Sequence, residues 1–336
     1  MFARSLVFAV ALLAGSLAAR AETLRFADSL PPDHLFTRVA AKVWMDRVTQ
    51  LTGGEITFQH FPAEQLGKAK DMLSMAQSGV ADIAFVVPTY ITDKLPLSGV
   101  VDLPGNFTSS CQGLHAYWKL AHDGVIAEKE MAPNGIRVLF AIVQPPFQVF
   151  TTKKKIETLD DFSGLKLRTT GGAMDLMLRE LGGSPVRLSA PDTYEAMSRG
   201  TIDGGVLAVV SIASYKLTPL LHFGTAGENF GSAALDYAIS ENRWKRLSPK
   251  AQQAMLQASD EVMESSCKAI EADNDREVDA MKKAGIDIAS LPAATHTGLA
   301  GKLTAVGKDW ADQLDKRGRP GSQVLSEFLA ALNAPQ

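Results

Sequence analysis

Short apolar runs alternate with stretches in which apolar residues return every three or four positions, a pattern that predicts strands and helices in turn along most of the chain. Residues 24–28 read as a strand, and Phe36, Val39, Ala40, Val43, Trp44 and Leu51 share one helical face. Thr52-Gly53-Gly54 stops that helix. A second strand over 56–60, a helix over 68–78 and a third strand over 82–87, ended by Pro88, follow. This is the β-α-β rhythm of an α/β lobe.

A loop rich in Pro, Gly and Ser leads into a helix expected over 111–129, and then into strands over 137–143 and 147–152. Pro145-Pro146 between those strands has the look of a crossover into a second lobe. There the rhythm resumes, with strands over 165–168, 185–188 and 204–210 and helices over 173–181 and 192–199. From 248 to 283 the only helix breaker is Pro249, at a first-turn position, and Ala, Glu, Gln, Met and Lys dominate, so one or two long helices are expected. The alternating charges of 271–279 read as a solvated helix face. Helices near 294–316 and 323–332 close the chain.

The first residues change the picture of where this happens. Arg4, an apolar run from Leu6 to Ala19, and Ala19-Arg20-Ala21 before Glu22 make a signal peptide over 1–21 with an A-x-A cleavage site, which places the mature protein in the periplasm. The run is shorter than the roughly 20 apolar residues that span a bilayer, and no other segment is long and apolar enough. The 315 residues that remain of 336 exceed what one compact core organises, so two lobes are expected. Loss of Arg4 and Arg20 takes 34 basic residues to 32 against 37 acidic ones, and a mildly acidic chain without a basic cluster is a poor nucleic-acid binder. Lys153-Lys154-Lys155 reads as a solvated edge.

Candidate chemistry is sparse. Cys111 and Cys267 are the only cysteines, and an oxidising compartment permits them to pair, although spacing alone does not show that they meet. Six scattered histidines lack H-E-x-x-H or any close Cys/His spacing, so neither a metal nor a cofactor is expected. G-x-S-x-G, G-x-G-x-x-G and G-x-x-x-x-G-K-[ST] are all missing, which argues against a hydrolase, a dinucleotide enzyme and a nucleotide triphosphatase.

Two segments carry a resemblance. RVTQLTGGEITFQHFPAEQLGKAKDMLSMAQSGVADIAF from Arg47 and KIETLDDFSGLKLRTTGGAMDLMLRELGGSPVRLSAPDTYEAMSRGTIDGGV from Lys155 closely resemble DctP-type substrate-binding proteins of tripartite ATP-independent periplasmic (TRAP) transporters. The resemblance implies an α/β, two-lobed periplasmic binding protein with a long connecting helix and a cleft that closes over its ligand. It places 22–145 plus about 233–272 in the first lobe and 146–232 plus about 273–331 in the second. It also implies that TRAP permease subunits receive a small organic acid for ion-gradient-driven uptake, by a protein that is not an enzyme and is not itself membrane-embedded.

Arg168 stands in Gly164-Leu165-Lys166-Leu167-Arg168, where the family places the arginine that grips a substrate carboxylate. A guanidinium at a strand end before Thr-Thr-Gly-Gly can present a bidentate fork into a cleft. The competing reading pairs Arg168 with an internal carboxylate such as Asp175. Compared with acidic-sugar receptors of the family, Gln148 stands where a second arginine aligns, Gly205-Val206-Leu207-Ala208 replaces a Glu-Asn pair, and Val87 replaces a carboxylate. An apolar cleft with one buried arginine favours a monocarboxylate with an aliphatic or aromatic body, such as a hydroxy, keto or aromatic acid. His34 is either a hydrogen-bond donor to the ligand or a helix-start residue beside Asp33. Tyr90 and Tyr194 are weaker candidates, and Gly171 and Gly172 are expected to let the ligand approach the backbone. The competing functions are a receptor for a sensor kinase, a receptor for a polyol or amine, and a secreted enzyme acting on small acids.

Overall fold

The computed structural model describes residues 21–334. The expected signal peptide, apart from its last residue, lies outside the described residues. Strands β1 (Glu22–Ala27), β2 (Ile56–Phe61), β3 (Ile83–Val86), β4 (Ile136–Val143), β5 (Gln148–Thr151), β6 (Lys166–Thr169), β7 (Ser184–Arg187), β8 (Gly204–Leu207), β9 (Phe223–Ala226), β10 (Ala234–Ser240) and β11 (Asp287–Ser290) form two sheets. The helices are α1 (Lys42–Thr52), α2 (Met72–Ser78), α3 (Ser110–His122), α4 (Ala173–Glu180), α5 (Thr193–Ser198), α6 (Val209–Ile212), α7 (Glu241–Trp244), α8 (Pro249–Lys283), α9 (Ala293–Asp315) and α10 (Gly321–Leu332).

The first sheet has the order β2-β1-β3-β10-β4 and the second β11-β9-β5-β8-β6-β7. In each, one strand from a crossing segment runs antiparallel to its neighbours: β10 between β3 and β4, and β5 between β8 and β9. The two crossings, 144–147 and 227–233, travel side by side. Gln144 N–H donates to Ala233 O at 3.1 Å, Phe147 N–H to Gly231 O at 2.8 Å and Phe230 N–H to Phe147 O at 3.2 Å. Gly231 has a φ of 112°, and a Cβ there would lie 2.6 Å from Asp102 O, so the crossing can pass only as glycine.

Helix α8 is a single helix of 35 residues. Ser248 caps it by accepting from Ala251 N–H at 3.1 Å, and Pro249 follows where its missing N–H costs nothing. Its buried face runs from Ala251 to Ile270 and resumes only at Met281. Trp44 of α1 is fully buried against it and satisfies its indole N–H on Ser259 Oγ at 3.0 Å. Cys111 at the start of α3 is bonded to Cys267 of α8, a disulfide that closes 156 residues of sequence. Helix α9 packs on α4, whereas α10 packs on α3 and α9.

Several expectations are corrected. The helix expected over 111–129 is broken after His122, because Gly124 brings the chain so close to the preceding turn that a Cβ would lie 2.7 Å from Lys119 O, and helical structure resumes as a π-helix over Ala127–Met131. The strand expected over 204–210 ends at Leu207, and Val209 opens α6. Val43 is 41% exposed and is not on the buried face shared by Phe36, Ala40 and Trp44. Strands β9, β10 and β11 have no counterpart in the sequence reading. In β10 the run Ala-Leu-Asp-Tyr-Ala-Ile-Ser carries an acid in its middle, yet Asp236 is buried and accepts from Tyr117 Oη at 2.8 Å.

Candidate functional site

Residues following β1 and β3 of the first sheet face residues of β6, β8 and α6 across a narrow chamber of ≈ 40 Å³. Space of that size holds roughly three waters. Leu30, Phe36, Phe85, Val87, Phe147 and Leu207 supply apolar wall, and among the described residues Arg168 is the one cationic side chain lining it.

Arg168 is 3% exposed. Its strand neighbour across the sheet is Gly205, where a Cβ would lie 3.1 Å from that of Arg168, so the glycine leaves room for the arginine stem. Two backbone carbonyls hold the guanidinium: Nε donates to Leu188 O at 3.0 Å and Nη1 to Val206 O at 3.4 Å. Among the described residues it makes no ion pair. Asp175, the internal partner considered for it, is taken by Arg187 Nε and Thr169 Oγ1. A buried, oriented cation without a counter-ion is costly unless an anion meets it.

Tyr90, on the 3₁₀ turn Pro88–Ile91, reaches over from the first lobe and accepts from Arg168 Nη2 at 3.3 Å. Tyr215, half-buried, lies within the electrostatic reach of Arg168, Tyr90 and Asp28, and burial holds its hydroxyl well above the ordinary phenol range. His34 is fully buried with its ring 5.5 Å from that of Tyr215. Its Nδ1 accepts from Phe36 N–H at 3.2 Å, and burial pushes its pKa down to about 3, so the ring is neutral.

The structure therefore gathers Arg168, His34, Tyr90, Val87 and Leu207 at one chamber. Four other candidates sit elsewhere. Gln148 faces the opposite side of the crossing, where its amide donates to Glu228 O and accepts from Thr225 Oγ1 at 3.0 Å. Tyr194 is 43% exposed on α5. Gly171 (φ 112°) and Gly172 (φ 55°) do permit a close approach, but of the other lobe: Cβ atoms there would lie 3.1 Å from Thr89 O and 3.3 Å from Thr92 Cγ2. Gln144, Ser211 and Tyr215 line the chamber and were not singled out from sequence. Only their nearness to Pro145 and to the end of β8 could have flagged them.

Two further places draw notice. A groove of ≈ 1160 Å³ opens between the crossing segments, α8 and α9, larger than the chamber but open and bordered by acids such as Glu228, Glu271 and Asp279. The chamber is the better site because it encloses the unpaired cation. His115, Glu264 and Cys267 approach one another closely enough to suggest a metal, but the Cys267 sulfur is committed to the disulfide.

The family profile for DctP, bacterial extracellular solute-binding protein, family 7, matches residues 26–313. The chain is 25% identical over 338 residues, 98% of each chain, to the outer membrane transporter protein TsaT of Comamonas testosteroni. It is 25% identical over 254 residues, 74% of this chain and 76% of the other, to the 2,3-diketo-L-gulonate-binding periplasmic protein YiaO of Escherichia coli. A TRAP solute-binding protein of Rhodoferax ferrireducens, crystallised with copurified benzoate, superposes with a TM-score of 0.85 at 27% identity, covering 93% of this chain and 98% of that one.

Proposed function

The chain belongs to the DctP family of bacterial extracellular solute-binding proteins, family 7, and we propose that it is the periplasmic receptor for a small monocarboxylate with an aromatic or compact apolar body, delivered to TRAP permease subunits. The observation that carries this reading is Arg168, buried, aimed by two backbone carbonyls and lacking an ion pair among the described residues. A carboxylate supplies the missing charge and can accept two N–H bonds from the guanidinium fork. Apolar walls favour an organic body without a row of hydroxyls, since each buried unpaired hydroxyl costs about 1–3 kcal/mol. The benzoate in the Rhodoferax ferrireducens protein fits the same description.

An amine ligand would set a second cation against Arg168, and a sugar acid would leave hydroxyls facing Phe36, Phe85 and Leu207. The lobes follow the two sheets, with 22–145 plus about 233–272 in one and 146–232 plus about 273–331 in the other, except that α10, expected with the second, packs on α3 of the first. A chamber this narrow admits a ring only when the lobes part, so binding and closure are one equilibrium.

Thermal denaturation with small carboxylates, each paired with its primary amide, tests the reading. A micromolar ligand at millimolar concentration adds about 4 kcal/mol to stability. Stabilisation by benzoate or a related acid, with none by its amide, is the expected result, together with recovery of the ligand unchanged after denaturation. Stabilisation by polyols or amines alone overturns the carboxylate assignment, and chemical turnover of the ligand overturns the receptor reading.

A further inference from the structure

Resting on that reading, one buried group of the chamber remains without a role. His34 is fully buried, and its Nδ1 lone pair is taken by the Phe36 N–H at 3.2 Å. The proton of the neutral ring therefore sits on Nε2. That Nε2–H is buried and has no hydrogen-bond partner among the described residues. Buried donors are rarely left so, and each one left unpaired weighs against the state that buries it.

The ring belongs to the chamber wall, stacked at a tilt between Phe36 (4.7 Å) and Tyr215 (5.5 Å). It comes from the first lobe, just after β1, whereas Arg168 comes from β6 of the second. The chamber thus has a cationic group on one lobe, a neutral donor on the other and apolar surface such as Leu30, Phe85 and Leu207 around them.

We propose that the ligand is an oxygenated aromatic monocarboxylate, whose carboxylate meets Arg168 while a hydroxyl, ether or carbonyl oxygen on its ring accepts from His34 Nε2–H. A neutral Nε2–H can only donate, so this position selects an acceptor and rejects an N–H or ammonium group placed there. A second carboxylate is disfavoured as well, because among the described residues no second cation lines the chamber.

Titration calorimetry with benzoate, 3-hydroxybenzoate, 4-hydroxybenzoate and 3- and 4-methoxybenzoate tests this. The methoxy acids accept without donating, and so isolate the role of the acceptor. Wild type is expected to bind the best oxygenated acid at least about 10-fold more tightly than benzoate, the scale of one buried hydrogen bond. His34→Phe should bring that ratio close to one, and His34→Gln, which keeps an N–H donor, should restore part of the preference. Wild type binding benzoate as tightly as every oxygenated acid overturns the inference but leaves the receptor reading standing. A preference that survives in His34→Phe overturns it too, and should that variant not fold, the wild-type ratio alone decides. Failure of wild type to bind any of these acids overturns the reading and the inference together.

Discussion

The phenol oxygen of Tyr90 accepts from Arg168 Nη2 at 3.3 Å, and the same oxygen accepts from Ala190 N–H at 2.9 Å. A side chain of the first lobe is thereby held by two donors of the second. Its own hydroxyl proton is left free to meet an acceptor, and the nearest chemistry that Arg168 would attract is a carboxylate. On the proposed reading, closure of the lobes and completion of the anion site are one event at this residue.

Tyr90→Phe removes the acceptor for both donors and the hydroxyl for the ligand. Affinity for the cognate acid should fall by about 1–3 kcal/mol, or roughly 5- to 150-fold. Solution scattering should show a more open average shape for the variant without ligand. Unchanged affinity together with unchanged scattering would show that the latch is idle.

Arg168→Ala should leave the melting profile of the free protein intact and weaken ligand binding by about 2–5 kcal/mol, because a ligand carboxylate would be desolvated without its partner. Arg168→Lys should recover little, since an ammonium cannot keep the donations to Leu188 O and Val206 O while forking onto a carboxylate. Calorimetry giving wild-type affinity for either variant would remove Arg168 from the site.

Stability should depend on pH through two kinds of buried group acting in opposite senses. Burial pushes Asp236 up to about 7, so between about pH 4 and 7 the unfolded chain has released a proton that the folded one keeps, and stability falls as pH rises. Burial pushes His34 down to about 3, so between about pH 6.5 and 3 the unfolded chain takes up a proton that the folded one refuses, and stability falls as pH falls. Asp236→Asn removes that acid's share of the first effect, while Glu130, also pushed up to about 7 by burial, and Asp102, raised by burial, keep theirs. The variant's unfolding free energy should rise with pH more steeply than that of wild type from pH 4 to 7, by up to about 4 kcal/mol across the window. Parallel profiles in chemical denaturation would mean that Asp236 is not held protonated.

Reduction of the Cys111–Cys267 bond, or the double substitution Cys111→Ala with Cys267→Ala, should lower stability by about 2–5 kcal/mol, given the long loop it closes. Equal denaturation midpoints with and without reductant, after confirming loss of the bond by thiol counting, would contradict this.

The regular α/β units were legible because their apolar residues alternate or recur with helical spacing, as in Leu24, Phe26 and Ala27 against Phe36, Ala40 and Trp44. Strand β10 escaped because its central acid, Asp236, is accommodated by Tyr117 from a helix over a hundred residues away in sequence, a compensation no local pattern displays. The place of Arg168 at the chamber was legible from its position near a strand end. Gln148, Gly171 and Gly172 were misplaced for one reason: sequence shows which residues stand near a crossing or a turn, but not which side of it they face. The disulfide could be neither asserted nor denied from two cysteines 156 residues apart.

That disulfide also anchors α8 to α3 partway along its length. The Cys111 N–H donates to Glu271 at 2.8 Å, so α8 is bolted to α3 through its first two-thirds, while its next deeply buried residue is Met281. The turns between form a cantilever that carries the second sheet, through β11, on an anchored beam. On the proposed reading, opening the cleft would load that span, and cutting the bolt would lengthen the free arm. The redox state of two residues remote from the chamber should thus set how widely the empty protein breathes, with scattering from the reduced form broader than from the oxidised one even at temperatures where both remain fully folded.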